Sequence, residues 1–122
     1  MDKYRMVENY FSSWVHQNRN QFDNIFSDKI VYSEYFGPEY HGLEQIKKWF
    51  DDWNKRGKVL IWNIKNFYQD HNTAIVEWYF KYDYDGSVGG FDGVSLILFS
   101  DEDKMISIKE FQSKSEHYSP YK

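Results

Sequence analysis

Glu34 is the residue whose surroundings first point to chemistry. Ile30, Tyr32, Glu34 and Phe36 alternate with Val31, Ser33 and Tyr35, and a pleated strand sends alternate side chains to one face, so a carboxylate joins three apolar neighbours. An ionised carboxylate leaves water at a cost unless it is paired, hydrogen-bonded or protonated. Glu34 is therefore either a pocket group or an acid at the solvent rim of a strand end. A second acid, Glu110, falls in the last strand pattern. If the SDEDK turn pairs Phe99 with Ile106, the antiparallel ladder sets Ile97 opposite Ile108 and Ser95 opposite Glu110, which turns Glu110 inward. A slip of one residue would instead face it to a lysine. Gln112 follows on the same side, and one register of the preceding hairpin turns Trp78 and Phe80 inward as well. Two carboxylates in one poorly polar cavity have their pKa values driven apart, one kept protonated as a donor and the other ionised as acceptor or base. That pairing suits abstraction of a proton next to a carbonyl.

Other chemistries find little support. His16, His71 and His117 share no spacing, and nothing resembles paired histidines one helical turn apart, so no metal site is expected. Asp83, Asp85 and Asp92 flank a glycine-rich hairpin without the ordered ligand positions of a calcium loop. No serine adjoins a histidine base, and no glycine loop opens a helix to cradle phosphate. No cofactor is expected. His41, beside Gly42, either shapes the turn before a helix or reaches a cavity mouth.

The elements that must position these residues follow from periodicity. Tyr4, Val7, Phe11 and Trp14, widened by Tyr10 and Val15, predict an amphipathic helix over residues 2–18. A short helix over 21–26 buries Phe22, Ile25 and Phe26. The strand carrying Glu34 ends at Gly37 and Pro38, and Leu43, Ile46, Phe50 and Trp53, with Trp49 beside them, predict a third helix ending near Gly57. Beyond Lys58 the period changes to two. Strands are expected over 58–68, 73–84, 91–100 and 105–114, joined by the turns QDHN, DGSVGG and SDEDK. Helices first and strands later argue for an α+β layer with the helices on one face of a curved antiparallel sheet. The tail from Lys114 to Lys122 is polar and expected to lie over an edge.

Composition bounds the partners. The chain has 122 residues, one domain's worth, with a net charge of -4 and scattered Lys and Arg, which argues against nucleic acid. Its mean hydropathy of -0.81 conceals an apolar share carried by rings: 11 Tyr, 10 Phe and 5 Trp. Buried Tyr and Trp need a partner for one polar atom, so a ring-rich interior lines wet or ligand-filled cavities as readily as dry ones. The absence of cysteine, a charged start without an apolar signal core and the lack of any membrane-length run lead to the expectation of a cytoplasmic protein with no membrane partner. Val94, Leu96 and Leu98 lie on the face opposite Ile97 and Phe99. Helices cover only one sheet face, so a homodimer through the outer face is expected.

The stretches FSDKIVYSE, FGPEYHGLEQIKKWFDDW and LILFSDEDKMISIKEF, in the order helix, short helix, strand, turn, helix and meander, resemble the nuclear transport factor 2-like (NTF2-like) superfamily, in particular its SnoaL-like branch, over nearly the whole chain. The resemblance implies one cone-shaped α+β domain over residues 1–122, with one short and four long strands wrapped on three helices. It implies function less sharply, because such cones serve isomerases, cyclases, dehydratases, transport factors and association domains. A more distant likeness to ketosteroid isomerase implies Tyr10 as phenol donor and Glu34 as general base. The position matching that enzyme's third acid is Ser95, a weaker donor, which departs from the pattern. Tyr10 and Ser95, with protonated Glu110, would then steady an oxyanion while Glu34 takes the proton. Tyr32, His41, Trp53, Trp78, Phe80, Ile97 and Gln112 would line a pocket for a small, apolar, oxygen-bearing ligand. The alternatives are a non-catalytic ligand-binding or dimerisation module and a domain that binds a protein partner at the mouth of the cone.

Overall fold

A computed structural model describes residues 2–121. The first helix, α1 (Lys3–Val15), is started by Asp2, whose carboxylate accepts from the Arg5 backbone N–H at 2.7 Å and so satisfies one of the free donors of the first turn. Its buried stripe is Met6, Val7, Tyr10, Phe11 and Trp14, as the spacing predicts. It ends at Val15, three residues before the expected boundary, with His16 as its cap, because Gln17 turns left-handed at φ 54°. The single-turn α2 (Phe22–Ile25) leads directly into β1 (Phe26–Ser33). Then come β2 (Glu39–His41), α3 (Leu43–Asn54), β3 (Gly57–Asp70), β4 (Thr73–Tyr84), β5 (Ser87–Phe99) and β6 (Met105–Ser113).

The strands form one sheet in the order β2-β1-β6-β5-β4-β3. The α+β class and the conical wrap agree with expectation, while the sheet differs in three respects. It has six strands, because the EYH triplet inside the expected turn folds back on β1 as β2, pairing Tyr32 with Tyr40. It is not wholly antiparallel: β1 runs parallel to β6, since the chain crosses the whole meander between them. The DGSVGG stretch is not a loop. Asp85 and Gly86, both at positive φ, close a two-residue hairpin, and Ser87–Gly90 already belong to β5. The glycines there serve the neighbouring rings, since a Cβ at Gly89 would lie 2.5 Å from the Tyr82 hydroxyl.

The helices cover the concave face, with α1 across β3 and α3 against β1 and β2. The core between the layers is ring on ring: Phe11 stacks on Trp62 with centroids 3.9 Å apart, and Tyr10 meets Phe26 edge-on at 5.1 Å. Two bulges in β3, between Val59 and Ile61 and between Ile64 and Asn66, shift its alternation and leave Leu60 and Ile61 partly exposed. The convex face bears Ile75, Leu98 and Phe111, each more than two-fifths exposed. No helix among the described residues is long and apolar enough to cross a membrane.

Candidate ligand cavity and acid pair

Between the concave sheet and α3 lies a cavity of about 960 Å³. All five tryptophans of the chain line it: Trp14 from α1, Trp49 and Trp53 from α3, Trp62 from β3 and Trp78 from β4. Glu110 from β6 and Glu34, just past the end of β1, bring carboxylates to this apolar wall. The expected partnership of Ser95 with Glu110 and of Ile97 with Ile108 is present. The turn itself pairs Phe99 with Met105, not Ile106, and a bulge between Leu98 and Phe99 absorbs the difference.

Glu110 is buried and accepts a short hydrogen bond from the Tyr32 hydroxyl, which in turn accepts from Tyr10 at 2.8 Å. Burial, helped by the nearby Glu34 charge and opposed by the Tyr32 hydrogen bond, raises the Glu110 carboxyl to a pKa of about 8. Burial also raises Glu34, against the pull of the Tyr40 hydroxyl that donates to its Oε1 at 2.7 Å. Tyr40, from β2, is held flat against Trp49 with centroids 4.4 Å apart. Among the described residues neither acid has a lysine, arginine or histidine within ion-pair distance. No three His, Asp or Glu side chains there converge as a metal site.

The structure brings together Glu34, Glu110, Tyr32, Trp53, Trp78 and Phe80 as cavity walls. It does not bring the others. Tyr10 is buried one layer behind Tyr32, its hydroxyl committed to that phenol and approached by the Trp14 indole. Ser95 is buried and accepts from the Trp78 indole N–H at 2.9 Å, so it anchors a wall without facing the space. Ile97 is core packing beneath the wall. His41 is exposed on the edge strand with its Nε2 2.8 Å from Glu39. Gln112 has the inward parity of Glu110 but lies on the exposed end of β6, lining a separate shallow pocket with Ser113–Glu116. Phe36 leaves the strand alternation at the turn and is 64% exposed at the mouth.

Tyr40, Trp14, Trp49, Trp62, Tyr82 and Tyr84 are walls that residue patterning did not single out as site residues. A signal did exist for Trp49, which sits beside the buried stripe of α3. Tyr40 had none, because a three-residue edge strand carries no periodicity.

A conical sheet wrapped on three helices around a ring-lined cavity defines an NTF2-like protein. Within that class, the model of the SnoaL-like domain family matches residues 7–108, and the chain belongs to that family. Comparison with curated proteins finds no match. Among solved structures it is similar to a Catenulispora acidiphila protein with a ketosteroid isomerase-like fold, in complex with trimethylamine, at 18% identity and TM-score 0.78, covering 88% of this chain and 85% of that one. It is likewise similar to a Mycobacterium tuberculosis LEH-like epoxide hydrolase, at 13% identity and TM-score 0.79, covering 89% and 80%. A Xanthomonas campestris protein of unknown function with a cystatin-like fold aligns at 12% identity and TM-score 0.75, covering 93% and 92%. At these identities the likeness is one of fold.

Proposed function

We propose that this SnoaL-like protein binds a small, largely apolar, oxygen-bearing molecule in the ring-lined cavity and transfers a proton on it without a cofactor, as an isomerase, cyclase or dehydratase does. The observation that carries the reading is the pair of acids on one apolar wall, each partnered only by a phenol. Glu110, neutral at pH 7, has a proton to donate to a ligand oxygen, and its Tyr32 hydrogen bond fixes which way the carboxyl lies. Glu34, half-buried and oriented by Tyr40, takes the proton from the adjacent carbon. Tyr10 and Ser95 are positioning residues in this scheme, acting through Tyr32 and Trp78.

Glu34→Gln tests the assignment, because it removes the ionisable group and keeps the shape. With small cyclic ketones in deuterated buffer, the wild-type protein is expected to exchange the α-protons of the bound ketone, and Glu34→Gln to slow that exchange by about a hundredfold or more at unchanged binding. Unchanged exchange in the variant removes Glu34 as the base. The commitment of Tyr10 and Ser95 to other side chains favours a second reading, a binding module without turnover. On that reading ketones quench tryptophan fluorescence but neither protein exchanges them. The apolar convex face supports assembly as a homodimer on either reading.

A further inference from the structure

The charge balance of the cavity is lopsided. Its lining side chains include three carboxylates, Glu34, Asp52 and Glu110, against one ammonium, Lys48. Lys48 and Asp52 neutralise each other at 3.1 Å on the exposed turn of α3, with the Lys48 side chain 77% exposed, so the basic group is spent at the rim. Deeper in, both acids lack a protein counter-charge, and the walls around them are indoles and phenols. Such rings carry negative potential on their faces and attract a cation, indole most strongly. An apolar, oxygen-bearing ligand that also carries an organic ammonium group gains from the ring faces, from Glu34 and, once it ionises, from Glu110.

We propose that the molecule this cavity takes carries a positive charge, a tertiary or quaternary ammonium group seated among the tryptophans, with Glu34 as its counter-charge and Glu110 joining it once ionised. This rests on the reading of the cavity as a small-molecule site and adds the charge class of its ligand. The seat is large enough: a trimethylammonium head with a short oxygen-bearing arm fills only part of about 960 Å³. A positive group beside a carbonyl would also make the neighbouring C–H more acidic, which is what a carboxylate base on the same wall requires.

The charge class has a pH signature. The titratable groups that feel the Glu110 charge are Tyr32 from β1, Glu34 and Tyr35 beyond its end and, through Tyr32, Tyr10 from α1, with Tyr40 on β2 further off. Burial lifts all these phenols above their ordinary range, so none ionises before Glu110 does. A cation favours ionised Glu110, and its affinity rises with pH until that carboxyl is fully deprotonated.

The test compares choline with its uncharged carbon isostere, 3,3-dimethyl-1-butanol, by quenching of intrinsic tryptophan fluorescence between pH 6 and 9. Choline keeps its charge throughout, so any pH dependence comes from the protein. Choline is expected to bind about tenfold or more tightly than the isostere at pH 9. Its affinity should fall by roughly one to two orders of magnitude toward pH 6, where a carboxyl titrating near 8 is protonated. The isostere's affinity should stay flat or weaken with rising pH. Glu110→Gln should abolish the pH dependence, and Glu34→Gln should reduce the preference at every pH. If the isostere binds as tightly as choline across the range, the cation assignment is overturned while the cavity remains a ligand site. If neither molecule, nor any of the ketones, perturbs the fluorescence, the small-molecule reading fails with it.

Discussion

Glu110 gives the fold a pH response at and above neutrality, where ordinary carboxyl groups no longer titrate. Its carboxyl titrates near 8 when folded and near 4.5 when exposed, with burial as the main cause. The folded state therefore holds this proton more tightly than the unfolded state does. The resulting stability is fully present below the unfolded value, declines as pH rises from about 4.5 to 8 and is lost above that. The decline attributable to this group is on the order of a few kcal/mol. Glu34, also raised, acts in the same direction, so the informative quantity is the difference between proteins. Urea unfolding of wild type and Glu110→Gln at pH 5, 7 and 9 should show the wild type losing stability faster with pH. The variant should become the more stable protein at pH 9. Parallel profiles would remove the claim that Glu110 is a buried, mostly neutral acid.

The β4–β5 hairpin shows how an element sets the cavity wall. Trp78 pairs with Gly93 across the ladder, and its indole lies over that glycine because nothing projects there. A Cβ at Gly93 would come within 2.2 Å of the ring, so the glycine is what lets the indole reach back to donate to Ser95. Gly93→Ala is expected to destabilise the fold by about 1–3 kcal/mol through overpacking. It should also alter the near-ultraviolet circular dichroism, because Trp78 must leave its seat between Phe11 and Phe91. A variant with wild-type melting temperature and spectrum would show that Gly93 does not set the position of the indole. The same hairpin carries Phe80 and Tyr82, stacked at 5.8 Å, so one pair of strands supplies much of one side of the cavity.

The molecule as a whole leaves its convex sheet face uncovered, because all three helices lie on the concave side. Ile75, Leu98 and Phe111 stand on that face at 44%, 42% and 56% exposure, with no helix laid over them. Two such faces packed together would bury these side chains in an isologous interface. Light scattering at tens of micromolar protein should give a mass about twice that of the 14.9 kDa chain. Phe111→Lys should give a folded monomer, judged by unchanged far-ultraviolet circular dichroism, and a wild-type monomer would end the proposal. Dimerisation would leave the cavity open, since it lies on the opposite face of the sheet.

Residue pattern alone determined the order of the three helices and of every strand but β2, and one of the registers it allowed carries the inward parity of Glu110 and the meeting of Ser95 with Glu110. Side-chain alternation and turn chemistry are local properties, and a strand's register follows from which face must be apolar. Depth along that face is not local. Tyr10, Ser95 and Gln112 all have inward parity or an inward stripe, yet one lies behind Tyr32, one under Trp78 and one out on the rim. Tertiary structure decided these, because the curvature of the sheet and the size of neighbouring rings determine which inward groups reach open space. It also placed Tyr40 against Glu34, by folding three residues of an apparent turn onto the edge of β1. Such an edge strand is stabilised by pairing with a distant backbone, and no pattern within three residues can record a partner that only folding supplies.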